Sequence, residues 1–120
     1  MNSSDRSDLE RLRDALDFAR YALGNAGGLP PDILADALQP QHAALYDLLI
    51  IGETLNKISS EVKSAGPNLP WRAIVNLRNI IVHAYWRIDL ELIADIIKYR
   101  LDPLIVELET LIAFVERTEK

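Results

Sequence analysis

LELIADIIKYRLDPLIVELETLIAFV, residues 90–115, decides the fold. Its apolar residues Ile93, Ile96, Ile97, Leu101, Leu104, Leu108, Leu111 and Val115 recur every three or four positions for about seven turns, a period that suits a helix and not a strand. Pro103 should kink this helix, because proline lacks an amide hydrogen and crowds the carbonyl four residues back. Asp89 stands where an N-cap belongs.

The same period continues towards the N-terminus. Pro70 suits the first turn of a preceding helix, expected to weaken between His83 and Asp89. Ser64-Ala65-Gly66-Pro67-Asn68 closes a longer one that begins near Pro40. There Ala44, Leu48, Ile51, Leu55, Ile58 and Val62 keep helical spacing for more than five turns on the scale of about 3.6 residues per turn, with Glu53, Lys57 and Glu61 outside. Residues 24–31 hold three glycines and two prolines and read as a loop, after which Asp32 opens a short turn of helix through Leu38. Ser7 and Glu10 have capping-box spacing at the start of the first helix, where Leu9, Leu12, Leu16, Ala19 and Leu23 follow until Gly24-Asn25 stops it. No strand-like alternation competes. The expectation is a single all-α domain over residues 1–120: an up-and-down bundle of four main helices, with room for a short fifth.

Composition narrows the function. The chain has 120 residues, no cysteine and a formal charge of −5. Disulfides, thiolate nucleophiles and Cys-based metal sites are excluded. A protein that coats nucleic acid nonspecifically is disfavoured, because that binding depends on neutralising phosphates, although a small basic site remains compatible. Met-Asn-Ser-Ser-Asp-Arg lacks the basic start and apolar run of a secretion signal, and no stretch approaches the roughly 18 apolar residues of a membrane span. A cytoplasmic protein is expected.

Chemistry concentrates in one octet, Arg78-Asn79-Ile80-Ile81-Val82-His83-Ala84-Tyr85. On an ideal helix, Ile74, Val75, Val82 and Tyr85 join Trp71 in an apolar face with Arg78 in its middle. Arg72, Asn76, Asn79, His83 and Arg87 line up on the other side as a polar stripe. Arg78 and His83 stand about 140° apart on a continuous helix, so a helix end or a second subunit across a two-fold axis must bring them to one point. Imidazole titrates near neutrality and could move a proton during phosphodiester cleavage. The guanidinium could hold the phosphate and stabilise charge on the pentacoordinate state. Asn79 could orient ring or substrate, while Tyr85 and Trp86 offer rings for stacking a base. Such chemistry would use the 2′-hydroxyl as nucleophile; no metal or cofactor is expected.

The pattern Arg-Asn-x-x-x-His-x-Tyr at Arg78, Asn79, His83 and Tyr85 resembles the hallmark of the HEPN superfamily, and its tyrosine-bearing form resembles the HepT-like toxins. Ile51-Gly52-Glu53, Pro70-Trp71, Ile88-Asp89-Leu90 and Asp102-Pro103-Leu104 are similar to that family's pattern in the same order, so the resemblance spans roughly residues 8–112. It implies a helical bundle that forms two-fold dimers, a metal-independent ribonuclease groove between subunits, Arg78 and His83 as catalytic residues and Asn79 in support. It also implies a partner, a minimal nucleotidyltransferase antitoxin that transfers AMP to Tyr85. Many relatives carry an acidic residue where this chain has Ala84.

Each residue also has a structural reading. Arg78 suits a buried cation paired with a carboxylate such as Glu53. His83 suits a solvated histidine, and Tyr85 a core ring with its hydroxyl at the rim. Trp71 fits packing at a helix start, His42 an exposed or structural role, and Asp89, Glu91 and Asp95 the acidic start of a helix. A non-catalytic HEPN adaptor that binds a nucleotidyltransferase or a nucleotide is therefore the alternative to a ribonuclease.

Overall fold

The computed structural model describes residues 6–26 and 29–119. Residues 1–5 and two glycines of the expected first loop, Gly27 and Gly28, lie outside them. Helices follow one another as α1 Asp8–Ala26, α2 Pro31–Asp36, α3 Leu38–Asn56, α4 Ser60–Ala65, α5 Trp71–His83, α6 Leu90–Tyr99 and α7 Leu101–Thr118, with a 3-10 turn at Tyr85–Arg87. No strand occurs among the described residues. The main columns are α1, α3, α5 and the α6–α7 pair. Helix α1 packs on α3 and α7, α3 packs on α5, and α2 lies across α6 and α3.

Helix α1 is central because its buried stripe is small: Ala15, Ala19, Ala22 and Ala26 follow Leu12 at helical spacing, and α3 presents Ala44 among its own buried residues. Short side chains let backbones approach closely. Around that seam Leu12, Ile51, Leu55, Ile97, Leu101 and Leu108 are the largest fully buried side chains, each contributing roughly 1.5–3 kcal/mol through burial.

The capping box forms as the spacing predicts: Ser7 N donates to Glu10 Oε1 and Glu10 N to Ser7 Oγ, both at 3.1 Å. Asp89 also caps as expected, its Oδ1 accepting from the amides of Glu91 and Leu92. Three boundaries differ. Helix α1 runs past Gly24 to Ala26, because Ala26 is buried and Asn25 Nδ2 donates to Asp47 Oδ2 on α3 at 2.8 Å, so tertiary contacts override the weak propensity of glycine.

The long second helix is in fact two, α3 and α4. Asp8 takes both donors of Ser59, the amide to Oδ1 at 3.1 Å and the hydroxyl to Oδ2 at 2.7 Å. Ser59 Oγ then accepts from Val62 N as the N-cap of α4, while Arg11 Nη1 donates to Lys57 O near the end of α3. Ile58 and Val62 still face inward after the break, which is why the periodicity does not register it. Likewise the last helix breaks at Arg100 rather than bending at Pro103. Four residues before Pro103 lies Tyr99, whose carbonyl the ring would crowd in a continuous helix.

Candidate active site on helix α5

Helix α5 starts on a fixed footing. Trp71 packs against the core and its Nε1 donates to Gly66 O at 2.9 Å, with the Lys63 ammonium 5.7 Å from the ring centre. Farther along, α5 crosses α3 at Gly52. A Cβ built there would stand 2.4 Å from Arg78 Cβ and 3.3 Å from Ile74 O, so only glycine permits this approach.

The crossing delivers Arg78 to Glu53. Arg78 Nε donates to Glu53 Oε1 at 2.7 Å, Nη2 lies 2.7 Å from the same oxygen, and Nη1 donates to Asn79 Oδ1 at 2.7 Å. Arg78 thus has the carboxylate partner its structural reading called for. It is not sealed in: its side chain keeps 22% of its accessible surface. Of the five N–H donors of a guanidinium these contacts use three, which leaves two for a ligand.

The orientation of α5 differs from the expected face. Trp71, Ile74, Leu77 and Ile81 pack on the core, whereas Val82 and Tyr85 are exposed. The buried face is rotated by roughly 60° from the sequence reading, at about 100° per residue. The notch at Gly52 sets this rotation by seating Ile74 and Arg78 on α3. Tyr85 leaves the face because the helix ends at His83, where Ala84 N donates to Ile80 O. The polar stripe is as expected: Arg72, Asn76, Asn79, His83 and Arg87 are all exposed.

Within one chain, Arg78, Asn79 and Glu53 come together and His83 does not join them. The helix between Arg78 and His83 is continuous, so the angular gap persists. Among the described residues no hydrogen bond or ion pair reaches the His83 imidazole. Tyr85 and Trp86 lie in the 3-10 turn, ring centres 5.6 Å apart and edge to face. His42 is exposed.

Two features escape a motif-centred reading. Charge is segregated along the chain: residues 62–88 contain Lys63, Arg72, Arg78 and Arg87 and none of the 18 acidic residues. The segment that carries the octet is thus basic within an acidic protein, with Glu53 of α3 brought against Arg78 from outside it. A count of acids along the sequence reveals it. The second is an open apolar groove of about 430 Å³ between α5 and α6–α7, walled by Ile51, Ala73, Ile74, Leu77, Ile96 and Leu104. It follows that α5 packs on α3 alone along much of its length, and none of its residues is fully buried.

A family described as ribonuclease HepT-like matches residues 27–111, a span that contains the whole octet. The chain belongs to the HepT-like family. It is 40% identical over 58 residues to "Putative RNase MJ1380" of Methanocaldococcus jannaschii, a match covering 48% of this chain and about half, 53%, of that protein. It is 28% identical over 108 residues to "Putative RNase MJ0127" of the same organism, covering 90% of this chain and 84% of the other. To "Probable ribonuclease HepT" of Thermococcus cleftensis it is 33% identical over 67 residues, 56% of this chain and 60% of that one. No solved structure matches. No helix among the described residues is long and apolar enough to cross a membrane.

Proposed function

We propose that the chain is a metal-independent endoribonuclease that works as a homodimer, with Arg78 and His83 acting on RNA phosphodiesters in a groove between subunits. The observation that carries this reading is the pairing of an anchored, partly accessible Arg78 with an exposed His83 on one helix inside an acid-free segment. Neutral His83 takes the proton of a 2′-hydroxyl as that oxygen attacks phosphorus. The 5′-oxygen leaves with a proton from a second, protonated imidazole, His83 of the partner subunit, and the products are a 2′,3′-cyclic phosphate and a 5′-hydroxyl. Arg78 offers its remaining donors to the phosphoryl oxygens, where charge builds. Asn79 holds the guanidinium.

The dimer is supported by the incomplete packing of α5 and by the angular gap between Arg78 and His83, which a two-fold partner can close. Exposure of Tyr85, 70% of its surface, suits modification by a nucleotidyltransferase antitoxin. AMP there would add bulk and negative charge beside the groove, opposing an RNA phosphate. An adaptor role is the second reading, favoured by one observation: Glu53 and Asn79 already engage Arg78.

Purified protein, weighed intact for added AMP units, should cleave RNA in EDTA once any AMP is removed, and His83→Ala should abolish cleavage while keeping the fold. Unmodified protein that leaves every RNA intact supports the adaptor instead.

A further inference from the structure

The 3-10 turn that follows α5 holds two large aromatic side chains in solvent. Trp86 is 71% exposed and Tyr85 70%. The turn is closed by Arg87 N donating to Ala84 O at 2.8 Å and Ile88 N to Tyr85 O at 3.2 Å, and Ile88 packs against the core immediately after it. The turn is pinned at both ends, and both rings stand outside the core. Trp71 shows the contrast, packed and hydrogen-bonded at the other end of the same helix. Trp86 therefore adds little to the fold.

Its surroundings identify an occupant. His83 and Asn79 lie on the exposed stripe leading to the turn, Arg87 follows Trp86, and no acidic residue occurs from Val62 to Ile88. Asp89, next in sequence, turns its carboxylate to the amides that begin α6. An aromatic face bordered by a guanidinium, an imidazole and an amide fits a base carried on a phosphate backbone. An apolar protein surface would gain nothing from Arg87 and His83. Bases in a duplex are already stacked and cannot reach a protruding indole, whereas an unpaired base can.

We infer that Trp86 is a substrate-binding residue that stacks an unpaired nucleobase beside the scissile phosphate, making the proposed ribonuclease selective for single-stranded RNA. This rests on the ribonuclease reading. The base packs on the open face of the indole, Tyr85 backs its edge, and Arg87 faces the adjoining phosphate.

The test uses the full chain and a fluorescein-labelled 2′-O-methyl octaribonucleotide, which lacks the nucleophile and survives binding, single-stranded or annealed to its complement. Anisotropy titrations should show the wild type preferring the single strand. Trp86→Ala should weaken that binding about tenfold, Trp86→Phe should recover part of it, and neither should change duplex binding, the circular dichroism spectrum or the sedimentation mass. Equal loss for single strand and duplex, no loss at all, or a shift in sedimentation mass that marks Trp86 as a subunit contact overturns the inference while leaving the ribonuclease reading in place. Wild type that binds neither oligonucleotide and cleaves no RNA overturns both.

Discussion

Glu53 Oε1 accepts from Arg78 Nε at 2.7 Å and lies 2.7 Å from Nη2, so one carboxylate oxygen fixes one edge of the guanidinium and leaves the rest of it to other partners. The pair is neither buried nor free, with 22% of the Arg78 side chain and 34% of Glu53 accessible. Water screens such a pair, and its stabilisation falls well short of a sealed one. Its value to the site is directional. An arginine without this anchor would sample many rotamers and present its donors to a phosphate only part of the time.

Glu53→Gln should therefore cost about 1 kcal/mol of stability, the range of a partly exposed charged hydrogen bond. RNA cleavage should fall further than that loss accounts for. Urea unfolding of Glu53→Gln, Arg78→Gln and the double variant gives the coupling directly. Strictly additive effects on unfolding would show that the two residues do not interact in solution.

Gly52→Ala tests the notch itself. The new methyl would overlap Arg78 Cβ, so α5 must move away from α3 or Arg78 must leave its rotamer. A cost of about 1–3 kcal/mol is expected from overpacking of this kind. Gly24→Ala is the control, since nothing lies within 4 Å of a Cβ at Gly24 and an alanine favours the helix. Thermal melts should move in opposite directions for the two variants; a shared direction contradicts the close approach.

Much of the bundle is legible in the sequence because burial and period coincide on α6 and α7, where Ile93, Ile97, Leu101, Leu104, Leu108, Leu111 and Val115 are all buried. Ser7 and Asp89 are legible as caps because a cap is a local hydrogen bond. Helix α5 is harder. Nearly all its apolar residues are half-exposed, so periodicity defines its face only loosely, and the rotation is set by Gly52 on another helix. The break at Ser59 depends on Asp8, 51 residues away. Glu53 could be suggested as the partner of Arg78 from charge alone, but its position came from the crossing of α3 and α5. Whether His83 meets a guanidinium depends on a second chain, which one sequence does not contain.

Leu55→Ala addresses the core beneath the site. Leu55 is fully buried near the end of α3, two residues beyond Glu53. Truncation should cost about 2–5 kcal/mol, the range for a large side chain removed from a packed interior. Chemical denaturation should show a lower midpoint with little change in slope. A loss under about 1 kcal/mol would mean that the interior there is loosely packed.

Ser7→Ala should remove the hydroxyl half of the capping box and about 1 kcal/mol with it, leaving the amide hydrogen bond to Glu10 in place. The Ser7 amide and hydroxyl hold the Glu10 carboxyl below its ordinary value. Because the folded value is the lower one, this contribution is complete above the unfolded value of 4.5 and disappears as pH falls through the folded value. Stability lost in acid should accordingly be smaller in Glu10→Gln, which carries no carboxylate, than in the wild type. An equal loss in both proteins as pH falls would show that the Ser7 amide does not favour the Glu10 carboxylate.

Asp47 has the opposite sign. It is 5% exposed on α3, and burial raises its carboxyl above the ordinary value while the Asn25 amide opposes the shift. The folded state therefore binds its proton more tightly than the unfolded state, and the buried carboxylate opposes folding at neutral pH. That opposition is relieved as pH falls through the folded value and is gone below the unfolded value of 3.8. Asp47→Asn keeps an oxygen for Asn25 and carries no charge, so it should raise the unfolding midpoint at pH 7 by a few degrees, roughly the equivalent of 1 kcal/mol in a domain of this size. The gain should shrink as pH falls through the folded value and vanish below 3.8, where the carboxyl is protonated in both states. Melting curves of both proteins across that range decide the point. A variant less stable than wild type at pH 7 would mean that the carboxylate has a favourable partner, and that burial is not what governs its titration.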